Sequence, residues 1–181
     1  MEKNSQNWSK FLIIFLATFL VRLLPFRAPN LEPILAIQMP FARIFGGVAS
    51  FAFAFFSIVI YDSFTAGLGV WTIVSATVYG AMGLWAVQYF KNKKNSSLEY
   101  AKFAIMSTLV FDAVTGLSVG PLAFGQSFSS AFFGQIPFTL LHLAGNVSFA
   151  FILSPAIYNF IINKEKREVE RSFNVLNPQK V

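Results

Sequence analysis

Few side chains in these 181 residues could do chemistry, and they lie far apart in the chain. Glu32, Asp62, Asp112, His142 and Asn146 stand out because their surroundings are apolar. His142 is the only histidine, and cysteine is absent. Disulfides, thiolate chemistry and Cys- or multi-His-ligated metals are therefore excluded, and neither a metal nor a cofactor is expected. His142 and Asn146 are four residues apart, so a helix presents both on one face. His142 and Asp112 could form a Ser–His–Asp set with Ser127, Ser129 or Ser130, but none of these three stands in a Gly-x-Ser-x-Gly turn. The chain also has no Gly-x-x-x-x-Gly-Lys-Ser/Thr phosphate loop and no His-Glu-x-x-His pair. Paired carboxylates, an imidazole and amides suit recognition of a polar ligand, so the expectation is a binding protein with no catalytic residue, not an enzyme.

The elements that must position these groups are apolar. Hydrophobic residues make up 55% of the chain and charged residues 12%, against about 25% charged in an ordinary soluble domain. No charge occurs between Ile44 and Tyr61, between Ser63 and Phe90, or between Ala113 and Asn163. About 20 predominantly apolar residues are enough to cross a bilayer as a helix. This pattern excludes a soluble enzyme, a disordered chain and a nucleic-acid-binding domain. The net charge of +6 sits at segment ends, as in a membrane protein. The apolar run from Phe11 meets Arg22 and Pro25 without a small-x-small cleavage site, so it reads as a retained first span.

An all-α bundle of six transmembrane helices is expected, in one domain over 1–163. The spans are placed at about 8–26, 31–45, 48–62, 70–90, 98–119 and 137–162. A Gly-, Ser- and Phe-rich connector precedes the last span, and a charged cytoplasmic tail over 164–181 is expected to be partly disordered. The stretch from Pro33 to Tyr61 is either one long helix or two short ones broken at Gly46-Gly47. Arg43 would lie mid-membrane in the first case and at a cytoplasmic turn in the second, which is less costly. Six spans with both termini cytoplasmic leave only Arg22 and Arg27 of the 14 Lys and Arg outside. Five spans with the N-terminus outside would leave Lys3 and Lys10 outside and bury Arg43.

With six spans, Asn30, Glu32, Asp62, Asp112, His142 and Asn146 fall at a common depth near the outer surface, where Gln38, Trp71 and Gln135 can join them. Embedded ionisable residues tend to face a bundle interior or a wet cavity. Their common depth suggests an outward-open pocket walled by aromatics. Each residue also has a structural reading. Glu32 could cap the following helix, Asp62 could be a solvated loop residue, and Asp112 could belong to a helix C-terminal turn. His142 and Asn146 could bond between helices, and Trp71 could anchor at the interface. Arg22 is expected to snorkel to the outer headgroups. Small residues at Ala49, Ala52 and Ala54, and at Ala76, Gly80 and Gly83, mark possible helix contacts.

In order and in short motifs the chain resembles the substrate-binding (S) components of energy-coupling factor transporters, the vitamin-uptake class. A first helix ends in Arg22-Leu23-Leu24-Pro25, followed by the loop Ala28-Pro29-Asn30-Leu31-Glu32-Pro33. Two short helices join at Phe45-Gly46-Gly47, and Gly69-Val70-Trp71-Thr72 leads to Tyr79-Gly80-Ala81-Met82-Gly83. The last span carries Ile136-Pro137-Phe138 and His142-Leu143-Ala144-Gly145-Asn146. The resemblance covers nearly the whole chain to about Ile162. It implies a six-helix subunit of an ABC-type importer in the cell membrane, capturing a vitamin or related micronutrient from outside under the loop that follows helix one. It also implies partners: a membrane coupling subunit and two cytoplasmic ATPases. The family's Ala-x-x-x-Ala contact with the coupling subunit is Ala17-x-x-x-Val21 here. Carboxylates beside Trp71 suit a nitrogen heterocycle, and His142 could ligate the cobalt of a corrinoid. Competing expectations are a structural or assembly protein of the bacterial cell-shape type with no small-molecule substrate, a small membrane enzyme needing His142, and a transporter working without an ATPase.

Overall fold

The computed structural model describes residues 2–24 and 32–176, and side chains over 9–24 and 32–162. The described residues form helices joined by short connectors, with no strand among them: α1 Glu2–Arg22, α2 Ile34–Phe64, α3 Val70–Phe90, α4 Ser97–Gly116, α5 Val119–Phe124 and α6 Phe128–Leu176. Four segments among them are long and apolar enough to cross a membrane: Ile34–Phe64, Val70–Phe90, Ser97–Phe124 and Phe128–Ile162. Their length and composition point to a membrane location.

Several boundaries differ from expectation. The spans placed at 31–45 and 48–62 form one element, α2, interrupted at Gly46. Gly46 sits at φ 83°, ψ 178°, a conformation that costs glycine little and other residues much. Two helical stretches therefore meet at a non-helical Gly46, at the place where a break between two short helices was anticipated. The connector ahead of the last span is helical too, as α5 and the opening turns of α6. The tail expected to be partly disordered continues α6 to Leu176. Between Pro155 and Pro178 the sequence has no helix breaker, and its Lys, Glu and Arg residues favour helix.

Packing follows the small residues. α2 packs most extensively on α3, and α4 on α6. A Cβ on Gly83 would lie 2.5 Å from Ser50 Oγ, and one on Gly80 would lie 2.6 Å from the Phe51 ring. These glycines let α3 approach α2 closely, as the small-residue face suggested. α1 leans on α2 through stacked and edge-on rings, with Phe11 5.0 Å from Phe41 and Phe15 5.9 Å from Phe53. Ala17 and Val21 face away from the bundle and are exposed.

Candidate functional site

A cavity of about 260 Å³ opens at the end of the bundle where α1 and α2 finish and α3 begins. Its residues come from every long helix. α1 supplies Arg22, the α1–α2 connector Glu32, α2 Ile58, Tyr61 and Asp62, and α3 Trp71, Ser75 and Tyr79. Phe111 of α4 and Phe138 and His142 of α6 complete it.

Helical spacing explains how these side chains converge. Trp71, Ser75 and Tyr79 recur every four residues, so they form one stripe on α3. Phe138, His142 and Asn146 do the same on α6. The entry to α3 is fixed locally. The Gly69 N–H donates to Thr72 Oγ1, and the Thr72 hydroxyl donates to Asp62 Oδ2 at 2.7 Å. The Asp62 carbonyl accepts the N–H groups of Thr65 and Gly67, closing the end of α2. Asp62 is thus both a turn residue and part of the cavity wall.

Arg22 overturns the snorkelling expectation. It is 4% exposed and turns inward. Its Nη2 lies 3.3 Å from Glu32, its Nη1 donates to the Ser57 carbonyl, and its guanidinium sits 4.0 Å above the Tyr61 ring. A carboxylate partner and an aromatic face hold the cation more favourably than exposure to lipid.

Behind the cavity wall runs a buried hydrogen-bonded chain. His142 Nδ1 lies 2.7 Å from Asp112 Oδ1, and His142 Nε2 lies 3.0 Å from the Tyr79 hydroxyl. Asp112, His142 and Tyr79 are 1%, 3% and 5% exposed. Phe111 and Phe138 pack edge-on against the imidazole. Further polar atoms have no hydrogen-bond partner: Arg22 Nε and Ser75 Oγ, on residues that line the cavity, and Asp112 Oδ2 and Asn146 Oδ1, on residues that do not. Buried polar atoms normally find partners, so unpartnered ones beside a cavity are what a ligand or water would satisfy.

Of the expected site residues, Glu32, Asp62, Trp71 and His142 line the cavity. Asp112 stands one hydrogen bond behind it and instead lines an apolar groove between α4 and α6, together with Gln135. Gln135 bonds to Thr139 at 3.3 Å, away from the cavity. Gln38 donates to the Tyr79 carbonyl at 2.6 Å and fastens α2 to α3. Asn146 donates to Thr108 at 2.9 Å and fastens α6 to α4. Gln38 and Asn146 thus point into contacts between helices, and Gln135 bonds within α6 and lines the groove. Asn30 lies outside the described residues. Tyr79, Ser75 and Tyr61 were not anticipated; the four-residue stripe from Trp71 was the signal for the first two.

The geometry suits binding. Among the described residues no group of three or more His, Asp and Glu side chains could hold a metal ion. Residues 2–168 match a family of unknown function, DUF6580. The chain belongs to this family. No curated protein and no solved structure matches it.

Proposed function

We propose that this DUF6580 member is the substrate-binding subunit of an energy-coupling-factor-type importer, taking up a small nitrogen heterocycle of the vitamin or micronutrient kind. The observation that carries the reading is the cavity, because side chains from five elements meet there around an ion pair, aromatic faces and unpartnered polar atoms. An assembly protein that only packs against partners has no need of such convergence. The volume of about 260 Å³ favours one or two fused rings over a corrinoid. Trp71 and Tyr61 offer flat faces for stacking, and the Glu32 and Asp62 carboxylates offer acceptors for ring N–H groups.

In this reading α1, the two halves of α2, α3, α4 and α6 make six crossings, with both termini cytoplasmic and the cavity outward. The Gly46 kink supports counting α2 twice, since Arg43 just before it bonds to the Lys93 and Lys94 carbonyls in the basic α3–α4 connector. Ala17 and Val21, exposed on α1, are available to a membrane coupling subunit that works with two ATPases.

The test is mass spectrometry of small molecules released from the detergent-purified chain, followed by a thermal-shift screen of micronutrients. A stoichiometric heterocycle is the expected result. An empty protein that no compound stabilises would overturn the proposal in favour of an assembly role.

A further inference from the structure

The groove between α4 and α6 has no part in the proposed uptake site. Its volume is about 340 Å³. Leu109 and Asp112, three residues apart on α4, face an α6 stripe of Gln135, Ile136, Thr139 and Leu140. The walls open away from the bundle: Leu109 is 47% exposed, Ile136 47% and Leu140 64%. These helices are apolar and long enough to cross a membrane, so that exposure is to the bilayer. Whatever enters the groove comes from the apolar phase.

The floor of the groove is polar. Asp112 is buried, and its two carboxyl oxygens are treated differently. Oδ1 lies 2.7 Å from His142 Nδ1, on the cavity side, while Oδ2 has no hydrogen-bond partner. Asp112 lines the groove and not the cavity, so Oδ2 is the oxygen on the groove side. Beside it on the lining, Thr139 Oγ1 accepts from Gln135 Nε2 at 3.3 Å, a bond that leaves the hydroxyl hydrogen unused. A Cβ on Gly116 would overlap Gln135 Oε1, so glycine there lets the amide settle against α4.

A polar oxygen shut away from water without a partner is unfavourable, and hydrocarbon supplies no substitute for the missing bond. A lipid acyl chain lying in the groove would leave Asp112 Oδ2 unsatisfied. A hydroxyl would satisfy it whether or not the carboxyl carries a proton, because a hydroxyl both donates and accepts. No Lys or Arg lines the groove, so a phospholipid's phosphate finds no partner there. The volume stands near the lower end of the range for ligand pockets, about 300–1,000 Å³, which favours a compact ring system over a two-chain lipid.

We propose that the α4–α6 groove is a second ligand site, for an uncharged membrane-soluble small molecule that sets a hydroxyl on Asp112 and lays an apolar body between the helices. The site does not depend on the cavity holding a ligand. Apolar walls that open to lipid suit a different occupant from the polar heterocycle proposed for the cavity.

The test uses the full-length chain in detergent and two fluorescent probes, 1-pyrenemethanol and 1-methylpyrene, which share an apolar body and differ by the hydroxyl. Energy transfer from the three Trp residues reads binding. One 1-pyrenemethanol per chain should saturate the signal. 1-Methylpyrene should bind more weakly by on the order of fivefold, the effect of one hydrogen bond. Ala113 is an exposed residue of the groove, and Ala113→Phe should fill it and abolish saturable binding of both probes. Asp112→Leu should bring the two probes to equal affinity. That variant also strips His142 of a partner, and if it does not fold, the two-probe comparison and Ala113→Phe decide without it. No saturation, equal affinities in the parent, or saturable binding that survives Ala113→Phe would overturn the proposal. The titration is then repeated in phosphatidylcholine vesicles, where 1-pyrenemethanol should still saturate. Loss of the saturable signal there would assign the groove to bilayer lipid and overturn the proposal.

Discussion

Arg22 and Arg43 sit at opposite ends of the same bundle and are held in opposite ways. Arg43 spends its donors on finished structure: the Lys93 carbonyl at 2.9 Å, the Lys94 carbonyl at 3.3 Å and the Tyr100 hydroxyl at 3.1 Å. The Tyr158 ring covers it at 4.5 Å. Arg22 also has an aromatic cover, but its ion-pair partner is Glu32 on the rim of a cavity, and its Nε has no partner. One end is a closed clasp between connectors. The other keeps charge, aromatic faces and unpartnered polar atoms around empty space. The contrast teaches that the bundle is stabilised at the Arg43 end and left under-satisfied at the Arg22 end, which is the difference the proposed binding role relies on.

The largest effect should come from Arg22. Arg22→Gln removes the cation from a buried pair and should cost about 3 kcal/mol or more of unfolding free energy. Arg43→Gln should cost only about 1–2 kcal/mol, because its acceptors are backbone carbonyls at a partly solvated end. Denaturant titration in mixed micelles measures both. Equal losses would mean that the two ends are not differently built.

The Gly46 kink tests the closed end by another route. Its positive φ makes Gly46→Ala strained even though open space surrounds the position. The expected cost is about 1–3 kcal/mol with ligand affinity unchanged. A variant as stable as the parent would show that α2 can straighten, and the six-crossing reading would lose its main support.

How much of this was legible in the sequence depended on which coordinate was asked for. Depth was legible. The charge-free run between Gly69 and Lys91 gave α3 its bounds, and the charge spacing put Glu32, Asp62, Trp71 and His142 at one end. Rotation about each helix axis was not. Gln38 and Asn146 point into contacts between helices and Gln135 into a groove away from the cavity, and nothing in a single apolar helix tells those directions from the cavity side. The Trp71–Ser75–Tyr79 stripe did carry rotation, since three chemically distinct residues at four-residue spacing define a face. Arg22 was misread for a different reason. Its partner lies ten residues on, beyond a stretch that contains Pro25 and Pro29. The sequence spacing alone does not show that Glu32 comes back to the end of α1.

The smallest stability effect carries the most information about the open end. Ser75 Oγ is buried and has no hydrogen-bond partner. Removing a hydroxyl that makes no hydrogen bond forfeits little, because its desolvation cost disappears with it. Ser75→Ala should therefore leave unfolding free energy within about 0.5 kcal/mol of the parent, or raise it slightly. Ser57→Ala is the control, because that hydroxyl bonds to the Phe53 carbonyl within α2. If the Ser75 hydroxyl is held in reserve for a ligand, Ser75→Ala should weaken binding by on the order of fivefold to tenfold while Ser57→Ala leaves affinity unchanged. A Ser75→Ala protein that binds as tightly as the parent would make the unpartnered hydroxyl a packing accident, and the contrast between the two ends would then rest on Arg22 alone.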